Sequence, residues 1–468
     1  MWDKESVHAV IEKQRAYFRT GATLPLEFRK EMLKRLKESV LAHQKEMEEA
    51  LKIDLGRCDT EAYLCDVGPV ILEINEAIHG LKKWAKPERH FSGLLAFPSM
   101  TTRVYKMPYG VALIISPFNF PFLLSLGVLS ACIAAGNTAV MKASSKSKAS
   151  TECLKHIIAD AFPEEYCVVI DGGHDVADFC LEERFDKIFY TGSPKVGVHV
   201  MEMAAKNLTP VALELGGEQG NWAIVRKDAD LADAARKIAF FKITNSGQIC
   251  ININQVAVAE EVADQFIECL KKEIIRQIGE KPLENEEYPH LISSSAYSWC
   301  AKEAEEYRDR IVFGGHGDPK TNRYEPTLIY PVGTEEPIVN HELFNPLLPI
   351  VPFKDAEIKD LLKKIEAREH GLAFYLFTKD KKWAKRVMSS SQYGGGCVNE
   401  VCIHLMVKGV PFNGTGHSGM GAYHGVWGFR EFSHPSTVLF GKTHMNLSLR
   451  EHPYGKGEKK NLLRKFFK

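Results

Sequence analysis

The sequence predicts an α/β fold: a parallel sheet with helices on both faces. Three observations carry this. Short, mostly apolar segments recur at Val111 to Ile115, Thr138 to Met141, Tyr166 to Ile170, Lys187 to Tyr190 and Val211 to Leu215. Stretches of helical length separate them. Polar residues and glycines gather where the segments end, at Asn119, Lys142, Gly172, Gly192 and Glu214. Strands buried on both faces are apolar throughout instead of alternating. Such sheets bind nucleotides beyond the carboxyl ends of their strands.

Ahead of the sheet, residues Ser6 to about Lys86 read as helices. Leu26, Phe28, Met32, Leu33, Leu36 and Val40 recur at helical spacing, with charges between them. Pro87 and the loop Ser92 to Ser99 break that pattern. Thr101 to Tyr105 alternates as a strand does, and Pro108-Tyr109-Gly110 turns the chain. After the strand Val111 to Ile115, a helix is expected from about Pro121 to Ala135. Gly136-Asn137 stops it, because glycine tolerates the left-handed conformation at a helix end. Ser150 to Phe162 reads as the next helix. Ser193 stands at a helix start whose first residue, Pro194, has no amide to leave unpaired.

A second alternation begins near Asn221. Ala223 to Val225 reads as a strand, Leu231 to Phe241 as a helix, Gln255 to Ala259 as a strand and Ala263 to Glu273 as a helix. Between Ile274 and Tyr330 the pattern gives no clear elements. Ile350 to Phe353, Ala356 to Ile365 and Ala373 to Thr378 then continue the alternation, and Thr437 to Phe440 is a strand in the tail.

A chain of 468 residues implies two or three domains. Its 60 basic and 60 acidic residues cancel, so bulk charge points to neither nucleic acid nor an acidic partner. The start, MWDKESVHAV, lacks the basic-then-apolar pattern of a secretion signal. Eleven cysteines, an odd number without CxxC pairs or zinc spacing, predict a reducing, cytoplasmic setting and no metal. The longest apolar stretch, Phe118 to Ala135, contains Asn119, Pro121 and two serines, and reads as a buried helix.

The stretch FKITNSGQICININ, Phe241 to Asn254, carries the strongest chemical signal. Asn245, Ser246, Gly247 and Gln248 precede Cys250, and small polar residues let backbone amides face a sulfur. A cysteine is a nucleophile only as thiolate, and most cysteines are merely small buried hydrophobes. Cys250 therefore depends on its partners. These are LELGG at Leu213 to Gly217, which carries Glu214, and ISPFNFP at Ile115 to Pro121, which carries Asn119. HELFNP at His341 to Pro346 and PFNGTGHSGMG at Pro411 to Gly421 follow.

The five stretches, in this order, resemble the aldehyde dehydrogenase superfamily. FNGTGHSGMGAYHG with FSH at Phe432 to His434 is similar to its class 3 branch, which acts on fatty and aromatic aldehydes. The resemblance implies a Rossmann-type coenzyme-binding domain (residues 1–90 and 109–216) and an α/β catalytic domain (217–415). It also implies a small β oligomerisation flap (91–108 and 430–445) that pairs Thr101 to Tyr105 with Thr437 to Phe440, and a tail from 446 to 468. NAD or NADP is the implied cofactor, a medium- to long-chain or aromatic aldehyde the substrate, and a homodimer the assembly.

Carried onto this chain, Cys250 is the nucleophile, Asn119 the oxyanion donor and Glu214 the base for thioester hydrolysis. Asn119 also reads as a helix N-cap before Pro121, and Glu214 as a buried carboxylate paired with a lysine. Glu342 and Phe344 fall on the nicotinamide half, Lys142 and Ser145 on the adenosine ribose, and Gly192 and Ser193 on the pyrophosphate. Phe120, Phe240 and Phe412 are expected in the substrate pocket, and Asn399 in support. Family members that prefer NAD often carry a glutamate where Ser145 stands; with Lys146 and Lys148 following, NADP acceptance is expected.

Three departures bear on cofactor geometry and loop shape. Glu218-Gln219-Gly220 follows LELGG where Lys-Ser-Pro is usual, Asn345 stands in Phe344-Asn345-Pro346, and Asn413-Gly414 follows Phe412. Gly414 to Gly419 matches G-x-G-x-x-G. That fingerprint needs a strand before it, a helix after it and an acidic residue about twenty positions on. Pro411 precedes it and no Asp or Glu lies between Phe432 and Arg450, so a flexible loop near the active site is expected instead. A coenzyme-A-acylating enzyme and a non-catalytic paralogue are the alternatives. Retained Glu214 opposes the first, and intact Cys250, Asn119 and Glu214 the second. The basic tail Gly455 to Lys468 reads as a helix pairing Leu462, Leu463, Phe466 and Phe467. The expectation is that it docks on the protein, with weak contact to anionic lipid as the alternative.

Overall fold

The computed structural model describes every residue except 1, 94–95, 97–100, 446–448, 450, 455–456 and 467–468. Much of the expected loop at Ser92 to Ser99 and the ends of the tail lie outside the described residues.

The N-terminal segment is helical, as its spacing requires. Asp3 and Ser6 form a reciprocal capping box at the start of Lys4–Arg19. Met32, Leu33, Leu36 and Val40 of the helix Leu26–Ala42 are buried. Gly56, at φ +69°, ends Gln44–Leu55 and turns the chain into Arg57. A π-turn, Tyr63–Val67, then leads into Gly68–Trp84.

The first sheet has six strands. Val111–Ile115 lies at its centre, with Thr138–Lys142 and then Cys167–Ile170 on one side, and Lys187–Gly192 and then Val211–Leu215 on the other. These five are parallel. Because the chain builds one side first and then crosses to the other, Val111–Ile115 and Lys187–Gly192 diverge at their carboxyl ends. That crevice is where sheets of this kind hold ligands. The sixth strand is Gly419–Met420, antiparallel to Val211–Leu215 with Gly419 opposite Glu214. The G-x-G-x-x-G stretch is thus a loop with a short turn, Gly416–Ser418, and only its last glycine joins the sheet edge.

The second sheet has seven strands, in the order Ile311–Phe313, Thr327–Ile329, Leu347–Phe353, Ile253–Ala259, Asn221–Val225, Ala373–Phe377 and Gly395–Val398. All pairs are parallel except the first. A three-stranded antiparallel sheet joins Glu88–His90, Thr101–Pro108 and Ser433–Phe440. Its register sets Thr437 opposite Val104 and Phe440 opposite Thr101, which is the pairing expected of the flap.

Several bounds differ from expectation. A π-turn, Leu123–Gly127, replaces the first part of the helix expected from Pro121, and the α-helix runs only over Val128–Ala135. Residues Ile274 to Tyr330 contain the helix Ser294–Glu306, a hairpin of Gly317–Asp318 with Arg323–Tyr324, and two three-residue strands. The tail forms a helix, Glu458–Phe466, on which Leu462 is exposed. The docked face expected there is not formed at Leu462.

Candidate active site

Two sheets and two loops bring their ends to one cavity of about 170 Å³. Phe118 and Asn119 come from the loop after the central strand, and Gly192 and Ser193 from the end of its neighbour across the crevice. Glu214 and Gly216 come from the next strand, Cys250 from the loop before Ile253–Ala259, and Glu342 and Phe344 from the turn before Leu347–Phe353.

The loop that carries Cys250 is held in an unusual shape. Asn245, Ser246 and Gly247 have φ of 50°, 51° and 77°, three left-handed residues in a row. Each non-glycine residue in that region costs on the order of 1–3 kcal/mol, so the surroundings must enforce it. Glu61 Oε1 accepts the Asn245 N–H at 2.8 Å. Asn245 Nδ2 donates to the Asn119 carbonyl at 3.0 Å and the Gln248 carbonyl at 2.9 Å. The space beside Gly247 is filled by the Asn345 carbonyl, so only glycine fits there. Asn221 Nδ2 holds the Cys250 carbonyl at 2.8 Å.

The site disfavours negative charge. Burial, and then the carboxylates of Glu342 and Glu214, push the Cys250 thiol up to about 12. Burial, and then Glu431, hold Glu214 well above the usual carboxylate range. Burial pushes Glu342 up to about 8. Glu214 Oε2 is buried without a hydrogen-bond partner among the described residues. Among the described residues no lysine pairs with it in the manner of a structural glutamate. A carboxyl that stays unpaired at a cavity wall is available to a bound molecule.

The aldehyde dehydrogenase family model matches residues 1–438. The chain belongs to the aldehyde dehydrogenase family. It is 35% identical over 454 residues to the 4,4'-diaponeurosporen-aldehyde dehydrogenase of Staphylococcus aureus, covering 97% of each chain. It is 35% identical over 433 residues to the dimeric NADP-preferring aldehyde dehydrogenase of Canis lupus familiaris, covering 92% of this chain and 94% of that one. A substrate-bound structure of Staphylococcus aureus AldH superposes with a TM-score of 0.95 at 34% identity and 99% coverage of both chains. Relatives designated family 3 match over nearly the whole length, which agrees with the class 3 resemblance. The protein is an NAD(P)-dependent oxidoreductase of aldehydes.

The crevice fits such a dinucleotide. Ser193 stands at the N-cap of Pro194–Ala205, but its side chain makes no capping bond. The amides of the first turn are left to face a phosphate. At Gly216 a Cβ would strike the Glu342 carboxylate, so glycine keeps the wall open there. Lys142, at its strand end, is buried and donates to the carbonyls of Ala143 at 2.8 Å and Gly172 at 2.9 Å. It leaves one of its three hydrogens for a ligand. Ser145, Lys146 and Lys148 are exposed beyond it.

The three expected pocket phenylalanines do not line this cavity. Asn119 faces it, so Phe120, the next residue, points away and packs under the Arg57 guanidinium, 4.4 Å from its ring centroid. Phe412 is buried among His404, Tyr423 and His424. Phe240 is 40% exposed on the helix Leu231–Ile243 and meets Phe241 edge-on. Phe118, Phe344 and Leu124 form the apolar wall instead. Asn399 binds both backbone groups of Thr378 at 2.9 Å and fixes a strand end. Asn119 is not a helix N-cap; the Leu123 N–H is taken by the buried Asp66 carboxylate at 2.5 Å. Arg57, Glu61 and Asp66 thus support the site, and no local pattern in the sequence marks them.

Proposed function

We propose that the chain oxidises apolar aldehydes to carboxylic acids through covalent catalysis at Cys250. The observation that carries this is the convergence of Cys250, Asn119 and Glu214 on one cavity at the sheet crevice. Cys250 Sγ adds to the aldehyde carbon and gives a thiohemiacetal. Asn119 Nδ2 spends one hydrogen on the Gln248 carbonyl at 3.1 Å, and its second hydrogen faces the cavity and the developing oxyanion. The bound nicotinamide supplies the hydride acceptor that leaves a thioester on Cys250. Glu214 then takes a proton from the water that hydrolyses it; a carboxyl with a raised pKa is a stronger base when it ionises.

The apolar wall of Phe118, Phe344 and Leu124 supports a medium- to long-chain or aromatic substrate. A second, narrow slot abuts the turn that carries Leu124. Leu72, Leu123, Leu405, Met406 and Val407 line one part of it, and Glu73, Glu76, Lys408 and His424 line another. Met406 and Val407 are exposed, as are Ile403 and Val410 nearby in the sequence. An apolar chain loses less by leaving water here than a polar one. Kinetics across aldehydes of increasing chain length, followed by the absorbance of the reduced cofactor, test this: kcat/KM rises with length. Added coenzyme A leaves the rate unchanged if water is the acceptor; a coenzyme-A-dependent rate would indicate the acylating reaction.

A homodimer is supported by two open features. The flap strand Ser433–Phe440 exposes Val438, Leu439 and Phe440, and Gly395–Val398 is a sheet edge with Val398 exposed. Unpaired edges invite pairing with a second chain. A cytoplasmic location is supported by eleven free cysteines. Weak lipid contact through the basic helix Glu458–Phe466 is supported by exposed Leu462; no described helix is long and apolar enough to cross a membrane.

A further inference from the structure

We propose that Arg57 is a positioning residue for the reaction: its guanidinium fixes the Asn245 amide and the Asn119 backbone, and so aims the Asn119 side chain at the oxygen above Cys250. This rests on Asn119 being the oxyanion donor.

Arg57 is fully buried. Its Nε donates to Asn245 Oδ1 at 3.0 Å, and its Nη2 donates to the Asn119 carbonyl. Its Nη1 donates to Asp66 Oδ2 at 3.3 Å, and Glu61 Oε1 lies 3.6 Å from Nε. Phe120 supports it from below. Both carboxylates that neutralise it also hold the site: Glu61 binds the Asn245 N–H, and Asp66 binds the Leu123 N–H. A buried guanidinium is kept only where its charge and its donors are met. Here Glu61 and Asp66 meet the charge, and two of the three hydrogen bonds go to the segments that carry Asn119 and Cys250.

The direction of the bonds matters. Arginine only donates, so Asn245 must turn its oxygen toward Arg57. Its Nδ2 is thereby aimed at the Asn119 and Gln248 carbonyls. Asn119 Nδ2 binds the same Gln248 carbonyl, so its amide plane is set by a chain that starts at Arg57. Without the guanidinium, Asn245 can reverse its amide, and the Gln248 carbonyl loses the donor that keeps it in place. Lysine would retain the charge beside Asp66 but cannot reach three acceptors in one plane.

The test is a set of cycles in the full-length protein, with kcat normalised to titrated Cys250 sites and with Tm and cofactor Kd measured for each variant. The variants are Arg57→Lys, Asn245→Gly, Asn119→Ala and the two doubles with Asn119→Ala. Glycine at 245 keeps the left-handed backbone and deletes only the amide. We expect Arg57→Lys and Asn245→Gly each to lower kcat about tenfold or more, with KM and cofactor Kd changed less than about threefold. In the Asn119→Ala background neither should lower kcat further, because the group they position is gone. A loss in that background equal to the loss in wild type would overturn the proposal, since a merely structural role acts in both. An unchanged kcat in Arg57→Lys and Asn245→Gly would overturn it as well. If Asn119→Ala itself is fully active, the reading of Asn119 fails, and the proposal with it. Should Arg57→Lys not fold, the Asn245→Gly cycle decides.

Discussion

The Glu342 carboxylate occupies the space into which a Cβ at Gly216 would project. Gly216 ends the strand that carries Glu214, and Glu342 lies on the turn before Leu347–Phe353, so this contact joins the two sheets at the cavity. A carboxylate at the end of a flexible side chain can move aside. Gly216→Ala should therefore fold, with Glu342 displaced from the wall. Its KM for the cofactor should rise about tenfold or more, while thiol titration still counts one reactive Cys250 per chain. An unchanged cofactor KM would show that Glu342 does not touch the cofactor.

Glu214 has an unpartnered buried oxygen, and its position on Val211–Leu215 sets it opposite both Thr191 and Gly419. Glutamine there keeps the size but cannot take a proton. Hydride loss precedes the hydrolysis that needs the base, so Glu214→Gln should release one equivalent of reduced cofactor per site and then stall. Stopped-flow absorbance measures the burst. Steady turnover near the wild-type rate, with no burst, would remove Glu214 from the mechanism.

Cys250, Glu214 and Asn119 were legible because each stands in a distinctive local string at a strand end or loop. The five parallel strands of the first sheet and four strands of the second were legible because apolar strands and helices alternate, whereas Ile311–Phe313, Thr327–Ile329 and Gly395–Val398 were not. The pairing of the two flap strands was expected from the family resemblance, and their register came only with the structure. Arg57 was not legible: an arginine four residues before Glu61 reads as an ordinary exposed pair, and only the tertiary path buries it. The pocket phenylalanines failed for a related reason. Proximity to Asn119 or Cys250 in sequence does not give direction, and Phe120 points to the opposite side from Asn119. The strands within residues 274–330 have two or three residues, too short to show a period, and the helix Ser294–Glu306 buries only Cys300 and Ala304, too few to mark an apolar face.

The raised Cys250 thiol makes a prediction about pH. An ordinary cysteine has a pKa of about 8.5. For a thiol pushed up to about 12, the thiolate fraction rises throughout the range from pH 8 to 10. Inactivation of the cofactor-free enzyme by iodoacetamide should therefore climb about tenfold per pH unit, without levelling near 8.5. Glu342 carries its charge only above about 8, and that charge opposes the thiolate. Glu342→Gln should thus speed alkylation at pH 9 and leave it nearly unchanged at pH 6. The same group bears on stability. Its folded pKa is raised, so the stability it contributes is present below the unfolded value of 4.5 and is lost as pH rises through about 8. The Tm advantage of Glu342→Gln over wild type should grow between pH 6 and 9. A plateau in alkylation near pH 8.5 would place the thiol in an ordinary environment.

Cofactor choice is expected to turn on Ser145. It is exposed three residues beyond Lys142, whose ammonium is anchored to the Ala143 and Gly172 carbonyls at the strand end. Lys146 and Lys148 are exposed beside it, and Lys146 Nζ stands 5.3 Å from the ring centroid of Phe118, a wall of the cavity. A 2′-phosphate placed here meets a hydroxyl donor and ammonium groups, and no carboxylate at position 145. A glutamate at 145 would add a like charge next to that phosphate and a bidentate acceptor for the two hydroxyls of an unphosphorylated ribose. The change should move preference toward NAD by about 1–2 kcal/mol, or tenfold in the ratio of kcat/KM for NADP to that for NAD. Wild type should accept NADP. Because the charges are exposed, the NADP advantage should shrink as salt is raised, and the response to NAD should change little. A wild type that strongly prefers NAD, or a Ser145→Glu variant with the wild-type ratio, would mean that these lysines point to solvent and take no part in the choice.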